Sequence, residues 1–332
     1  MFVPPVTPSG EGTVARRPDF RNVRPCLPLR HGRFFMRFWR RLSILRSTAF
    51  AAAVLVACAS PQASAGRIHV VDDAGDTVRL AEPARRIVSL IPATTELLFA
   101  IGAGPHLVGR TAWCDYPPAA AQVPNLGDGI RPNLEAIVAQ HPDLVVLYRS
   151  AQNAEAASGL RALKIPVIQM SVDRLADVDR VSAVLGRLTG RVFSADSLAT
   201  AFDSALARAT VDADSASRPK VLILVWDQPP MTVGAGSFLT ELVERAGGRN
   251  LFADVQASSA QVSVEAVVKR DPDLVFVTTD GTPAFAERPE WQTVRAIREK
   301  RFLRVTNSSY NRPSPRAPEA ITQLSSLLHR GP

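Results

Sequence analysis

The side chains here whose types and spacing could do chemistry are suited to holding a ligand, not to transforming one. Trp113, Cys114, Asp115, Tyr116, Pro117 and Pro118 stand in a row. Two aromatics stopped by a double proline make a rigid platform. A large ring there is either a stacking surface or a loop aromatic folded back onto the core. Pro92, Ala93, Thr94 and Thr95 turn the chain after an apolar run and lead into a helix. Thr94 or Thr95 is either the N-cap of that helix or part of a loop whose N–H groups meet a polar ligand. Arg312 and Arg316 put two cations into a proline-rich loop. Catalytic constellations are missing: there is no Gly-x-Ser-x-Gly elbow and no Walker loop. His69, His106, His141 and His329 lack ligand spacing, so neither a metal site nor a resident cofactor is expected. Cys114 has no histidine in a motif relation and reads as a structural thiol. An enzyme is not expected.

Two further acids, Glu135 and Glu265, sit in an internal repeat. Residues 132–147 recur as residues 262–277, with seven of the sixteen positions identical. Each copy is a short amphipathic helix, a proline that ends it, and an apolar run of strand length. Residues 144–147 and 274–277 show no polar alternation, as expected of strands covered on both faces. In each copy the glutamate lies in the first turn of the helix, where it opposes the positive end of the macrodipole. Two copies set far apart predict two similar α/β lobes.

Strand and helix patterns alternate through the rest. Residues 67–71 and 77–80 flank a Gly75 turn and predict a hairpin; residues 86–90 predict a buried strand, and residues 95–101 a helix. A strand over 106–111, a helix over 154–163 and a strand over 167–170 complete a first lobe, residues 67–175. Residues 176–218 are a connector. Apolar residues recur there at helical spacing and Gly190 divides them into two helices, the second about 30 Å long. A stiff helical connection predicts little domain closure. The second lobe, residues 219–332, begins with a buried strand over 220–226. A loop over 227–236 faces the cleft, and a helix starts at Ser237. A helix over 291–299, a strand over 302–305 and a helix over 321–329 follow.

The net charge of +8 resembles a nucleic-acid signal, but all of it sits in residues 1–57, which hold ten arginines, no lysine and only Glu11 and Asp19. The remainder is formally neutral, so no nucleic-acid partner is expected. Residues 1–35 show no period and read as lying upstream of the true start at Met36. From Met36 an arginine-rich stretch precedes an apolar run too short to span a bilayer. It ends at Leu55, Val56, Ala57 and Cys58, which resembles a bacterial lipoprotein signal with Cys58 as the lipidated residue. Residues 58–66 then form a flexible tether. Only Cys114 would remain beside it, which excludes an internal disulfide. The expectation is an exported lipoprotein facing the periplasm or cell exterior.

Taken in order, residues 86–96, the Trp113 to Pro118 run, Asn133 to Glu135, residues 246–250, the Glu265 copy and residues 312–316 resemble the substrate-binding proteins of ABC importers for vitamin B12, haem and ferric siderophores. The resemblance covers about residues 67–330. It implies two α/β lobes joined by a rigid helix, with the ligand between them. It also implies a monomer that delivers the ligand to a permease dimer, with Glu135 and Glu265 docking on permease arginines. The vitamin B12-binding branch is the most similar. That likeness implies a corrinoid ligand, contacted by Pro92, Ala93, Thr94, Trp113, Tyr116, Met231 and Arg312, with Trp226 and Tyr310 as further aromatic candidates. The sequence departs from that branch at Gly129, Ser259 and Ser308. Haem or a ferric siderophore is the alternative ligand, although an anionic chelate calls for several convergent cations and only Arg312 and Arg131 are candidates for that role.

Overall fold

The structure, a computed structural model, describes residues 68–212, 218–278 and 281–330. Cys58, the leader and the tether lie outside them. An antiparallel hairpin of β1 (Ile68–Val71) and β2 (Thr77–Leu80) opens the described chain. The first lobe holds β3 (Ile87–Ser89), α1 (Pro92–Ala100), β4 (Leu107–Arg110), α2 (Leu134–Val138), β5 (Leu144–Tyr148), α3 (Ala151–Ala162) and β6 (Val167–Met170). Its four strands are parallel, in the order β4-β3-β5-β6. Next come α4 (Asp177–Thr189) and α5 (Val192–Ala209), divided as expected at Gly190, whose φ of 69° ends α4 in a left-handed cap.

The second lobe holds β7 (Lys220–Asp227), β8 (Pro230–Val233), α6 (Phe238–Arg245), β9 (Arg249–Asn250), β10 (Ser259–Gln261), α7 (Val264–Arg270), β11 (Leu274–Val277), α8 (Arg295–Arg298), β12 (Phe302–Arg304) and α9 (Ala317–Arg330). Its strands run β10-β8-β7-β11-β12, with β9 also on β7. β11 is parallel to β7 and β12, whereas β8 is antiparallel to both β7 and β10. The expectation of two α/β lobes holds.

The repeat builds the same corner in both lobes. Leu144 and Val146 of β5 point into a core that also holds Leu274 and Phe276 of β11. Val145 and Leu147 face a separate cluster with α2 and α3, and Val275 and Val277 face another around Trp291. Each strand is thus apolar on both faces for a physical reason: it is covered twice. His141 and Asp271, just before the repeat prolines, both take φ near 47°. Asp143 accepts from the N–H groups of Arg85 and Arg86, and Asp273 from that of Lys220. Each aspartate so ties its strand to the start of the neighbouring one. One core runs unbroken from the hairpin through the first sheet, α4 and α5 to α9.

Four local expectations fail. Residues 227–236 are not a loop, because Pro230–Val233 pairs with β7 as β8. α1 begins at Pro92, with Ile91 as its N-cap and no capping side chain. The hydroxyls of Thr94 and Thr95 therefore do not cap; both turn back to the Ile91 carbonyl. The span 291–299 is a 3-10 turn followed by the four-residue α8, and α9 starts at Ala317.

Candidate functional site

The carboxyl ends of the two sheets open onto a cleft, the usual place for a ligand in α/β architecture. A chamber of about 530 Å³ there is lined by Val172 and Asp173 of the first lobe and, from the second, by Ile223, Ser237, Phe238, Ser258, Thr278, Tyr310, Asn311 and Arg312. Its lining mixes apolar side chains with hydroxyl and amide groups, the Asp173 carboxylate and the Arg312 guanidinium, and it contains no histidine or lysine. At its rim Tyr148 donates its hydroxyl to Asp173 at 2.8 Å. Burial first, then the Asp173 bond, pushes that phenol up to about 12, so it stays a neutral donor.

Trp113 and Tyr116 are exposed, by 58% and 40%, so the platform expected from sequence stands clear of the core. Cys114 between them is buried. It lies 3.2 Å from the hydroxyls of Thr95 and Thr111 and pins the run to α1 and the end of β4. Behind the platform lies a cluster that sequence reasoning missed. Glu96 of α1 has only 2% of its side chain exposed. It receives Arg312 Nε at 2.7 Å, Arg316 Nε at 2.9 Å and Arg316 Nη2 at 2.7 Å. Arg312 also pairs with Asp115 and donates Nη1 to the Trp113 carbonyl at 3.1 Å. The Arg316 guanidinium lies 4.0 Å from the centre of the Tyr116 ring. Burial raises the Asp115 carboxyl, but Arg312 and Ser308 outweigh it and the net shift is downward. Burial likewise opposes the Arg316 charge, yet Glu96 wins and its proton is held more firmly. Both arginines come from the second lobe and both carboxylates from the first. A second tie joins the lobes where Arg174 Nε reaches Glu241 at 2.6 Å and Glu241 accepts from the Leu175 N–H at 2.8 Å.

The remaining expected residues divide. Trp226 is 61% exposed at the end of β7 and pairs across the ladder with half-buried Met231, which places both on one face. Tyr310 lines the chamber but is 2% exposed, and its hydroxyl donates to Ala320 at 3.1 Å, so it serves as wall and core. Burial above all, with the Glu319 charge, pushes it up to about 12. Ala93 and Thr94 are buried in the first turn of α1, so their side chains do not reach the cleft; Pro92 is half-buried. Arg312 is not a free cation, as its pairing shows. Gly129 has φ +79°, and a Cβ there would stand 2.7 Å from the Leu90 carbonyl, so no side chain fits at this departure from the vitamin B12-binding branch. Its neighbour Ile130 is 65% exposed and offers apolar surface instead. The sequence does show an acid amid the apolar residues of α1 and two arginines in a loop without acids, but nothing local that pairs them.

Glu135 and Glu265 are exposed, in the first turns of α2 and α7, whose N-caps are Asn133 and Ser263. The Ser263 hydroxyl and the backbone N–H hold the Glu265 carboxyl below its ordinary value, which keeps it ionised. Among the described residues no group of three or more possible metal ligands occurs, and no helix is long and apolar enough to cross a membrane.

Two α/β lobes around a lined cleft are the architecture of a protein that holds a ligand between its lobes. The chain belongs to the periplasmic binding protein family, whose profile matches residues 87–308. It is 28% identical over 310 residues to the uncharacterized ABC transporter substrate-binding lipoprotein YvrC of Bacillus subtilis, covering 87% of this chain and 98% of the relative. It is 27% identical over 246 residues to the vitamin B12-binding protein of Pectobacterium carotovorum, covering 74% and 88%. The solved structure of the periplasmic heme-binding protein RhuT from Roseiflexus superposes with a TM-score of 0.65 at 24% identity, covering 73% and 97%. The family is one of transport substrate-binding proteins, not a class of enzymes.

Proposed function

We propose that this protein captures a corrinoid in the cleft between its lobes and delivers it to an ABC importer permease. The observation that carries this reading is the pairing of an exposed Trp113 platform with a chamber that offers hydroxyl and amide groups and whose one cation, Arg312, is already paired with Glu96 and Asp115. A flat macrocycle fringed with amide groups matches both: its face covers aromatic surface, and its amides exchange hydrogen bonds with Ser237, Ser258, Thr278 and Asn311. An anionic ferric siderophore calls for free cations, and Arg312 and Arg316 are already committed to Glu96 and Asp115. The name of the Pectobacterium relative supports the same ligand. Trp113, Tyr116, Trp226 and Met231 are the contact residues in this account, with the backbone at Pro92 beside them.

Haem is the second reading, favoured by one observation: Tyr116 offers an exposed phenol, an oxygen donor that a ferric porphyrin takes as an axial ligand. Calorimetric titration with cyanocobalamin and with hemin separates the two. Saturable binding of cyanocobalamin alone is expected, and binding of hemin alone would reverse the assignment.

Docking is assigned to Glu135 and Glu265, one exposed anion on each copy of the repeat, which suits two equivalent arginine sites on a two-fold permease. Membrane attachment is assigned to lipidated Cys58, in keeping with the lipoprotein name of the Bacillus relative. Cys58→Ala is expected to release the protein from membranes or leave a precursor of higher mass; unchanged partition and mass would remove the anchor from the account.

A further inference from the structure

We infer that Glu96 is a positioning and specificity-determining residue: it locks the aromatic wall of the cleft across the lobe boundary and, together with Asp115, balances the charge of the two arginines behind it. The inference rests on the reading of the cleft as a site for a ligand of neutral periphery. Glu96 never touches the chamber. Its side chain is 2% exposed within α1, yet it takes both guanidiniums that the loop after β12 extends toward the first lobe. Arg312, held by Glu96, reaches the carbonyl of Trp113 and the carboxylate of Asp115. Arg316, bound by both carboxylate oxygens of Glu96, lies on the Tyr116 ring. One buried carboxylate so fixes both faces of the platform through two intermediaries.

The charge balance has a consequence for the ligand. Two carboxylates balance two guanidiniums, and Arg312 itself lines the chamber. With Glu96 in place the four paired groups sum to no net charge. With glutamine in its place, one guanidinium is left uncompensated beside the ligand, where low dielectric strengthens its pull on an anion. The acid thus biases the cleft away from anionic chelates without contacting any ligand.

The test compares the full chain with Glu96→Gln and with the double variant Glu96→Gln, Arg316→Gln. Hydrogen exchange of residues 111–118 is followed in ligand-free protein, and affinities are measured for cyanocobalamin and for ferric citrate as an anionic probe. Glu96→Gln is expected to speed exchange in 111–118, to weaken cyanocobalamin about tenfold or more, and to strengthen ferric citrate by a similar factor. The double variant restores neutrality, so its ferric citrate affinity returns to the parent value while exchange stays fast. Should Glu96→Gln not fold, Asp115→Asn at the exposed rim is expected to move all three readings the same way by less. Unchanged exchange in 111–118, or equal weakening toward both ligands, overturns the inference, because a merely structural residue would lower both affinities alike. If the parent protein ignores cyanocobalamin while exchange and ferric citrate respond as stated, the ligand reading fails and the role of Glu96 stands.

Discussion

Glu96 and Trp113 show what a single side chain does in this protein, and how differently each announces itself. Trp113 was legible because a large ring before a double proline has no evident core position, and the structure leaves it 58% exposed. Covering it with a macrocycle is worth a few kcal/mol at about 25 cal/mol per Å². Trp113→Ala is accordingly expected to weaken cyanocobalamin by about tenfold or more in calorimetry, with thermal stability nearly unchanged because the ring is outside the core. Glu96 was not legible, because an acid beside Leu97 and Leu98 reads as a helix residue until its partners are known. Those partners lie 216 and 220 residues away. No local pattern carries that information. Glu96→Ala leaves Arg316 without its carboxylate and Arg312 with Asp115 alone, both in a poorly solvated place, and breaking a buried pair from one side costs about 3–5 kcal/mol. Chemical denaturation checks this, with a lowered midpoint expected.

At the scale of elements, periodicity and the repeat predicted α2, α7, β5 and β11 in their right places, because helix spacing and double coverage of a strand leave their mark in adjacent residues. β8 escaped because Pro229 and Pro230 read as loop punctuation; the second opens a strand, where a missing donor is tolerated. The two connecting helices carry a titratable contact. Burial, and then the charge of Asp203 on α5, raises Asp179 of α4 from its ordinary value of 3.8 to about 6. Between those values the folded protein holds a proton that the unfolded chain has lost, so stability falls as pH rises through the window. Asp179→Asn removes this loss. The variant is expected to match the parent near the bottom of the window and to melt a few °C higher at neutral pH, read by calorimetric scans across the range. α2 and α7 carry the docking assignment. If Glu135 and Glu265 meet permease arginines, the double change Glu135→Ala, Glu265→Ala leaves cyanocobalamin affinity intact and cuts transport sharply. Normal uptake at normal expression would return both to the service of their helices.

As a whole molecule, the described chain is two lobe sheets and a hairpin sharing one continuous core, with two ion clusters tying the lobes together. The stiffness expected of the connector has a wider basis than helix length: α4 packs on α1 and the hairpin, α5 packs on α9, and Gly186 lets the two helices approach so closely that an added Cβ would lie 2.6 Å from that of Ala195. The resemblance in sequence order reached this architecture, but the neutral balance of the cleft became visible only when Arg312 and Arg316 were found paired. The central claim is that this neutral, ring-walled cleft holds a corrinoid. Protein purified from cells supplied with both cobalamin and haem, examined by visible absorbance, tests it most directly. A corrinoid spectrum at near one equivalent is the predicted result; a Soret band with no corrinoid absorption would contradict the account.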